Sequence, residues 1–451
     1  MSRTTQTLAA AVLAVALLLL GAVAIVRHPS ASPSPADAAG AAGDTTTNSE
    51  PSTLLTAAPG SSLDATISTL QVRLQQVPGD WQAAASLGLA YVQQARVTAD
   101  PSYYPKAQQI LHTSLRTHPQ DNVEAWVGLA SLSAARHHFA EALVQGVHAR
   151  TIDPYLAAVY GVIGDAQLEL GRYDDAFATF QKMVDTQPGL ASYARVSYAR
   201  ELTGDVQGAV QAMEAARSVA GSPDDAAWVA FQLGELAWNA GDVDEAAARY
   251  QEAAQLDPSW VPPLAGMAKV AWARGDTTTA IADYRQVVSR YPAPEHVIAL
   301  GDLLTLTGDH AGARQQYDLA RAEAKLFAAN GVNVDLELAL FDADHGDPAA
   351  AVRAARTEWN RRRSIHVADA YGWALHAAGH DAEAARYARR ALVLGTRSAL
   401  FRYHAGMIQL ALGHDAAARA DLRLALSINP HFSILGAPAA RRALASIGGN
   451  A

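Results

Sequence analysis

The chain has 451 residues, 50% of them hydrophobic, a formal net charge of −9 and no cysteine. The missing thiols exclude a disulfide framework, a thiolate metal site, a cysteine nucleophile and lipid attachment through cysteine. Arg361-Arg362-Arg363 is the one compact basic run and reads as a solvated helix end, so the acidic balance sets nucleic acid aside as a partner.

The chain begins with Arg3 and an unbroken apolar run, Leu8 to Val26, closed by Arg27 and His28. At 1.5 Å per residue this makes roughly 28 Å of helix, close to the thickness of a bilayer core. The run predicts an uncleaved membrane anchor over 1–28. The alternative is a signal peptide, for which Ala22-Val23-Ala24 supplies the small residues of a cleavage site. The charge distribution places the start in the cytoplasm and the rest outside. The expected location is therefore a single-pass bacterial cell-membrane protein, or a secreted one after cleavage. Arg and Ala abundant against low Lys resemble the usage of GC-rich bacteria. Residues 29–61, rich in Pro, Ala, Ser and Thr, read as a disordered tether.

From residue 62 to 451 the chain becomes periodic. Glycines recur at Gly171, Gly204, Gly241, Gly275, Gly308, Gly346, Gly379 and Gly413, spaced 33 to 38 residues apart. Each lies in the same apolar pattern, which is the mark of a helical solenoid. The unit is clearest at Tyr160, Ile163 and Gly164, which share one face of a first helix; Ala176, Phe180 and Met183 share one face of a second. Gly171 between them suits a left-handed helix end, and Pro188 stops the second helix.

This order of residues resembles the tetratricopeptide repeat, W-x2-L-G-x2-Y, then A-x3-F, then P. The resemblance extends to Trp126, Leu129, Ala130, Phe139, Ala142 and Pro154, where His137 replaces the turn glycine. It extends also to Leu233, Gly234, Gly241, Ala246, Tyr250 and Pro258, and to Tyr371, Gly372, Gly379 and Ala384. The copies at Tyr193–Met213 and Leu338–Ala351 are weakest, and the first, at Leu87, Gly88, Tyr91, Ala107 and Leu111, needs an insertion between Arg96 and Tyr104. The resemblance implies an all-α, right-handed superhelical solenoid of about ten helix-turn-helix units with a capping helix near Ala437 to Ile447. In such an array each repeat is expected to touch mainly its neighbours.

For chemistry, no Walker, zinc-helix, EF-hand, nucleophile-elbow or dinucleotide motif is present. No catalytic residue and no cofactor is assigned. The richest constellation is late: Asp342, Asp344, His345, Asp347, His366, Asp369, His376, His380, His404 and His414. His376 and His380 have the one-turn spacing of a metal pair. Capping and turn roles are the ordinary reading, with a small-ligand or metal site as the alternative function.

The aromatic residues point elsewhere. On a helical wheel Trp228, Phe231, Glu235 and Trp238 form a strip beside the face carrying Leu233 and Gly234. Lys269, Trp272, Asp302, His366, Asp369, Trp373 and His376 continue it in later repeats. In the family resembled, this strip lines the concave wall. Aromatics alternating with charges suit a groove for a peptide. The expected function is thus a membrane-tethered, non-catalytic scaffold for a protein or peptide partner, with Trp238, Trp272 and Trp373 as anchors.

Overall fold

The computed structural model describes residues 63–448, which are helical throughout with no strand among them. An opening helix, Leu63–Gln76, precedes ten helix pairs. Repeats 1 to 5 are Trp81–Thr98 with Tyr103–Thr117, Val123–Ala135 with Phe139–Ile152, Ala157–Glu169 with Tyr173–Thr186, Leu190–Leu202 with Val206–Ser218, and Pro223–Asn239 with Val243–Leu256. Repeats 6 to 10 are Pro262–Ala273 with Thr277–Arg290, Pro294–Leu306 with His310–Ala329, Asp335–His345 with Pro348–Arg361, Ile365–Ala377 with Asp381–Ala391, and Ala399–Ala411 with Asp415–Ile428. Gly436–Ser446 closes the array, with Leu444 fully buried.

Local chemistry explains each pair. Second helices start on an aspartate in repeats 4 to 8, where Asp205, Asp242, Asp276, Asp309 and Asp347 accept the backbone N–H three residues on. This satisfies donors that the helix itself leaves free. Small residues inside first helices let a large side chain from the second helix enter. The Tyr250 ring, completely buried, is clasped between Gly234 of its own repeat and Gly266 of the next, where an added methyl would lie 2.6 Å from ring carbons. The insertion in repeat 1 lengthens its first helix to Thr98, after which Ala99 turns left-handed at φ 54°.

The stacking is not confined to neighbours. The end of each first helix in repeats 1 to 5 touches the linker that follows repeats 6 to 10, respectively. Tyr291 Oη donates to Arg96 O at 3.0 Å, Asn333 N–H to Arg136 O at 2.9 Å and Ile365 N–H to the Tyr173 hydroxyl at 2.6 Å. Gly204 lies against Gly395 O, and Asn429 Nδ2 donates to Trp238 O at 2.7 Å. The hydrogen bonds accepted by Arg96, Tyr173 and Trp238 span 195, 192 and 191 residues. One superhelical turn therefore rests on the previous one along a seam of turns and linkers. Apolar packing crosses it too: Leu168, Phe180 and Leu202 share a cluster with Leu336, Trp373 and Leu375, and Val332 joins Leu87, Leu129 and Leu132.

Contacts fall mainly within repeats and between neighbours, as expected, and the seam adds to them, so the first and second turns are not independent. One expectation is corrected by this seam. Arg362 is no solvated helix end: its side chain is 1% exposed, bonded to Glu169 of repeat 3 and Glu358 of repeat 8. It also lies 4.7 Å from the Phe139 ring centre. His137, standing where other repeats have glycine, takes φ 60° and places Nδ1 2.7 Å from Asn333 O across the seam.

Candidate functional site: an acid-lined cavity inside the superhelix

The first helices of repeats 4 to 10, with the linkers after repeats 9 and 10, line a cavity of about 230 Å³. Trp238, Lys269, Trp272, Asp302, His366 and Asp369, all from the predicted strip, form part of its wall. Trp228 and Glu235 line a smaller, adjoining cavity of about 50 Å³ that shares Tyr198 and Glu201 with the first. Phe231, Trp373 and His376 line neither.

The strip is far less open than a groove for a peptide requires. Trp238 is 4% exposed and Trp373 3%. Trp373 is a packing residue, its Nε1–H donating to Asp344 at 2.7 Å and its ring stacked on His404 at 4.1 Å. Phe231 packs edge-on against Trp260, and His376 Nδ1 sits 2.5 Å from Asp381 beyond its helix. Trp272 is half-buried, its ring perpendicular to that of His431 with centres 5.8 Å apart. The His431 linker belongs to the C-terminal end of the array, so the seam covers the strip that the helical wheel left open.

Three glutamates that the sequence reading missed stand in the same wall. Burial pushes Glu201 up to about 7, the Asn239 amide bonded to it lowering and the nearby Glu235 raising it. Burial likewise brings Glu295 to about 7, its own backbone N–H opposing and Glu337 adding to the rise. Glu337 reaches about 7 by burial, against the attraction of Arg362. Asp302 is pushed well up by burial while accepting from the Tyr317 hydroxyl at 2.9 Å. His366 is drawn down to about 4 by burial and by Arg362, and is neutral at physiological pH. Glu201 stands three residues before Gly204, as Trp238 and Trp272 stand before Gly241 and Gly275, so the repeat register offered a signal. Glu295 and Glu337 lie nearer the starts of their helices and had none.

The lysine of the strip is already engaged. Lys269 Nζ lies 2.5 Å from Glu235 Oε1 and 5.4 Å from the Trp238 and Tyr250 ring centres. The Tyr250 hydroxyl donates to the same carboxylate oxygen at 2.6 Å.

The late His/Asp set does not assemble. Asp369 pairs with His404 at 2.9 Å, Asp302 lies 3.5 Å from His345, and His414 meets Gln409 at 2.8 Å. Asp342 lies 3.5 Å from Arg321, and Asp347 caps a helix. The helix carrying His376 ends at Ala377, so His380 falls beyond it and the two rings do not share a helical face. Among the described residues no group of three or more such side chains is placed to hold a metal ion.

Residues 131–191, 193–259 and 266–326 match one family model described as a tetratricopeptide repeat, and residues 399–432 match another of the same description. The chain carries tetratricopeptide repeats. Proteins built from tetratricopeptide repeats generally mediate protein–protein interactions. A curated relative, cellulose synthase 1 operon protein C of Komagataeibacter xylinus, is 26% identical over 272 residues, 57% of this chain. The match covers only 20% of that relative's length. Among solved structures, the APC/C hetero-tetramer Cut9–Hcn1 has 13% identity and a TM-score of 0.37, over 85% of this chain and 93% of its own. Yeast Tom70 has 13% identity and a TM-score of 0.36, over 85% and 86%. A tetratricopeptide repeat protein from Parabacteroides merdae has 18% identity and a TM-score of 0.34, over 58% and 99%.

Proposed function

We propose that this chain is a non-catalytic scaffold that holds a segment of a partner protein against the inner wall of its superhelix. The observation that carries the reading is the cavity itself, where first helices of successive repeats converge aromatic and carboxylate side chains on one space. Its size suits a side chain or two of the partner, with the rest of the segment lying along the mouth. Asn239, Ala240 and Arg397 are the exposed members of the lining, and all three sit at the seam. A photo-crosslinking residue at Asn239 should capture one defined segment of a partner in cells. Adducts formed from exposed Tyr155, in the linker after repeat 2 and outside the cavity lining, with none from Asn239, would move the binding face away from the cavity.

In this reading Leu8 to Val26 tethers the repeats outside a bacterial cytoplasm, and residues 29–61 give them reach. That segment lies outside the described residues, and no described helix is long and apolar enough to cross a membrane. A retained anchor keeps the mature start near Met1 and resists extraction by high salt, because apolar burial holds it. A mature start near Ile25 with a soluble product would make the protein secreted. A component of a polysaccharide-synthesis assembly is the first partner to test, since the relative's name ties that protein to a cellulose synthase operon.

A further inference from the structure

We propose that the cavity binds an organic cation, the ammonium or guanidinium end of a flexible alkyl chain, with a lysine or arginine side chain of the partner as its source. The inference rests on the reading that the interior receives a partner, and adds the chemistry by which it does so.

The wall gathers more carboxyl groups than it pairs. Glu201, Glu295, Asp302, Glu337 and Asp369 line the cavity, against Lys269 and the exposed Arg397. Lys269 is committed to Glu235, Asp302 and Asp369 have the partners given above, and His366 is neutral. No side-chain donor reaches Glu295, and Glu337 Oε2 has no hydrogen-bond partner while its Oε1 lies 4.0 Å from His137 Nδ1. Glu337 acts on Glu295 as a neighbouring like charge, which a cation between them would relieve.

A second observation points to a ligand rather than to a chance cluster. His366, 7% exposed, is part of this wall and its Nδ1 is buried without a partner, an arrangement that leaves a polar group desolvated unless something satisfies it. The protein also shows that this wall can hold an ammonium. Lys269 is bound there by one carboxylate and two aromatic faces, and Trp272, Tyr284 and Phe401 line the same cavity as the unpaired glutamates, Tyr284 close enough to feel the Glu295 charge. Size agrees, because an apolar cavity of about 150 Å³ already admits benzene, and this one is about 230 Å³.

Binding must then be linked to protons. A bound cation favours ionised glutamates, so it expels protons where they are still held and binds better as pH rises through about 7. The groups bearing on that titration are Glu235 beside Glu201, and Glu337, Tyr284 and Tyr291 beside Glu295. Arg362, Glu358, Asp335 and His137 act on Glu337.

The test is calorimetry of the full chain with agmatine, near pH 6 and near pH 8, in two buffers of different ionisation enthalpy. Affinity should rise on the order of tenfold between the two conditions, with protons released at the lower one. Glu295→Gln with Glu337→Gln should weaken binding about tenfold near pH 8 and flatten the pH dependence, while the melting curve shows the variant folded. Equal binding of 1-pentanol, or undiminished binding by the folded double variant, overturns the proposal. If that variant does not fold, the single Glu295→Gln exchange and the proton count of the wild type decide it. A peptide, acetyl-Ala-Lys-Ala-amide, binding more tightly than agmatine assigns the cation to a protein side chain; the reverse order assigns the site to a free amine and overturns that source. Agmatine binding without crosslinking from Asn239 separates failure of the scaffold reading from failure of this one.

Discussion

Gly171, Gly204 and Gly241 hold the same place in their repeats as Gly275, Gly308, Gly346, Gly379 and Gly413, and all have positive φ. Their surroundings differ completely. A methyl group added at the first three would lie 2.5 Å from Arg363 O, 2.6 Å from Gly395 O and 2.5 Å from Ile428 O; at the other five nothing stands within 4 Å. In the second half of the array glycine serves only the left-handed turn, whereas in repeats 3 to 5 it also lets the next superhelical turn come down onto the backbone. Identical local chemistry thus carries two different tertiary burdens.

The largest expected effect breaks the seam at its buried charge. Arg362→Ala leaves Glu169, at 3% side-chain exposure, without a cation, and Glu358, at 1%, with only the Arg361 contact at 3.4 Å. Loss of one partner of such a buried set costs about 3–5 kcal/mol, whereas Arg361→Ala, at 49% exposure and bonded to Asp335 and more weakly to Glu358, should cost about 1 kcal/mol or less. Urea unfolding of the two variants measures the difference, and equal losses would mean that the seam contributes nothing.

The glycines sharpen the comparison directly. Gly275→Ala and Gly308→Ala should each cost about 1 kcal/mol, the strain of a left-handed alanine. Gly171→Ala, Gly204→Ala and Gly241→Ala should each add about 1–3 kcal/mol to that, because a backbone carbonyl has no rotamer by which to withdraw. Matching costs at both sets would show the two turns standing apart in solution.

Next comes the pH profile of the melting temperature. Glu201, Glu295 and Glu337, raised to about 7, contribute stability that is complete below the ordinary carboxylate range and is lost as pH rises through 7. His137 and His366, lowered to about 4, and His296 and His345, lowered to about 3, work the other way: burial desolvates all four. Their contribution is present above the ordinary histidine value and is lost as pH falls toward those values. The wild type should therefore be most stable between these limits. Replacing the three glutamates by glutamine should shrink the decline at rising pH, leaving the part carried by Asp302, and leave the acid one, a change that thermal melts across pH 4 to 9 would reveal.

The smallest effect concerns His137. His137→Gly and His137→Ala both remove the bond to Asn333, so the difference between them isolates the backbone. Glycine should be the more stable by about 1 kcal/mol, the penalty of holding a Cβ at positive φ.

Much of the site was legible in part. Trp238, Lys269, Trp272, Asp302, His366 and Asp369 were found by their place on the first-helix wheel, and the structure puts each in the cavity wall. Phe231, Trp373 and His376 obey the same wheel and are elsewhere, because neighbouring helices and Asp381 take them up. Glu295 and Glu337 escaped notice because they sit near the starts of their helices, where only the approach of other repeats brings them to the same space.

The sequence by itself determined the helix pairs, their left-handed turns, the aspartate caps and the small residues that admit Phe180 and Tyr250. All of these depend on contacts within a repeat or between neighbours, which a spacing of three, four or about 34 residues records. Only the tertiary structure decided that Arg362 is buried, that the strip is roofed and that burial raises three glutamates to about 7. Those outcomes depend on small rotations between repeats summed over a separation of 191 to 196 residues. No single residue encodes that sum, and a slight change in each step would leave the same repeats as an open spiral with a solvated groove.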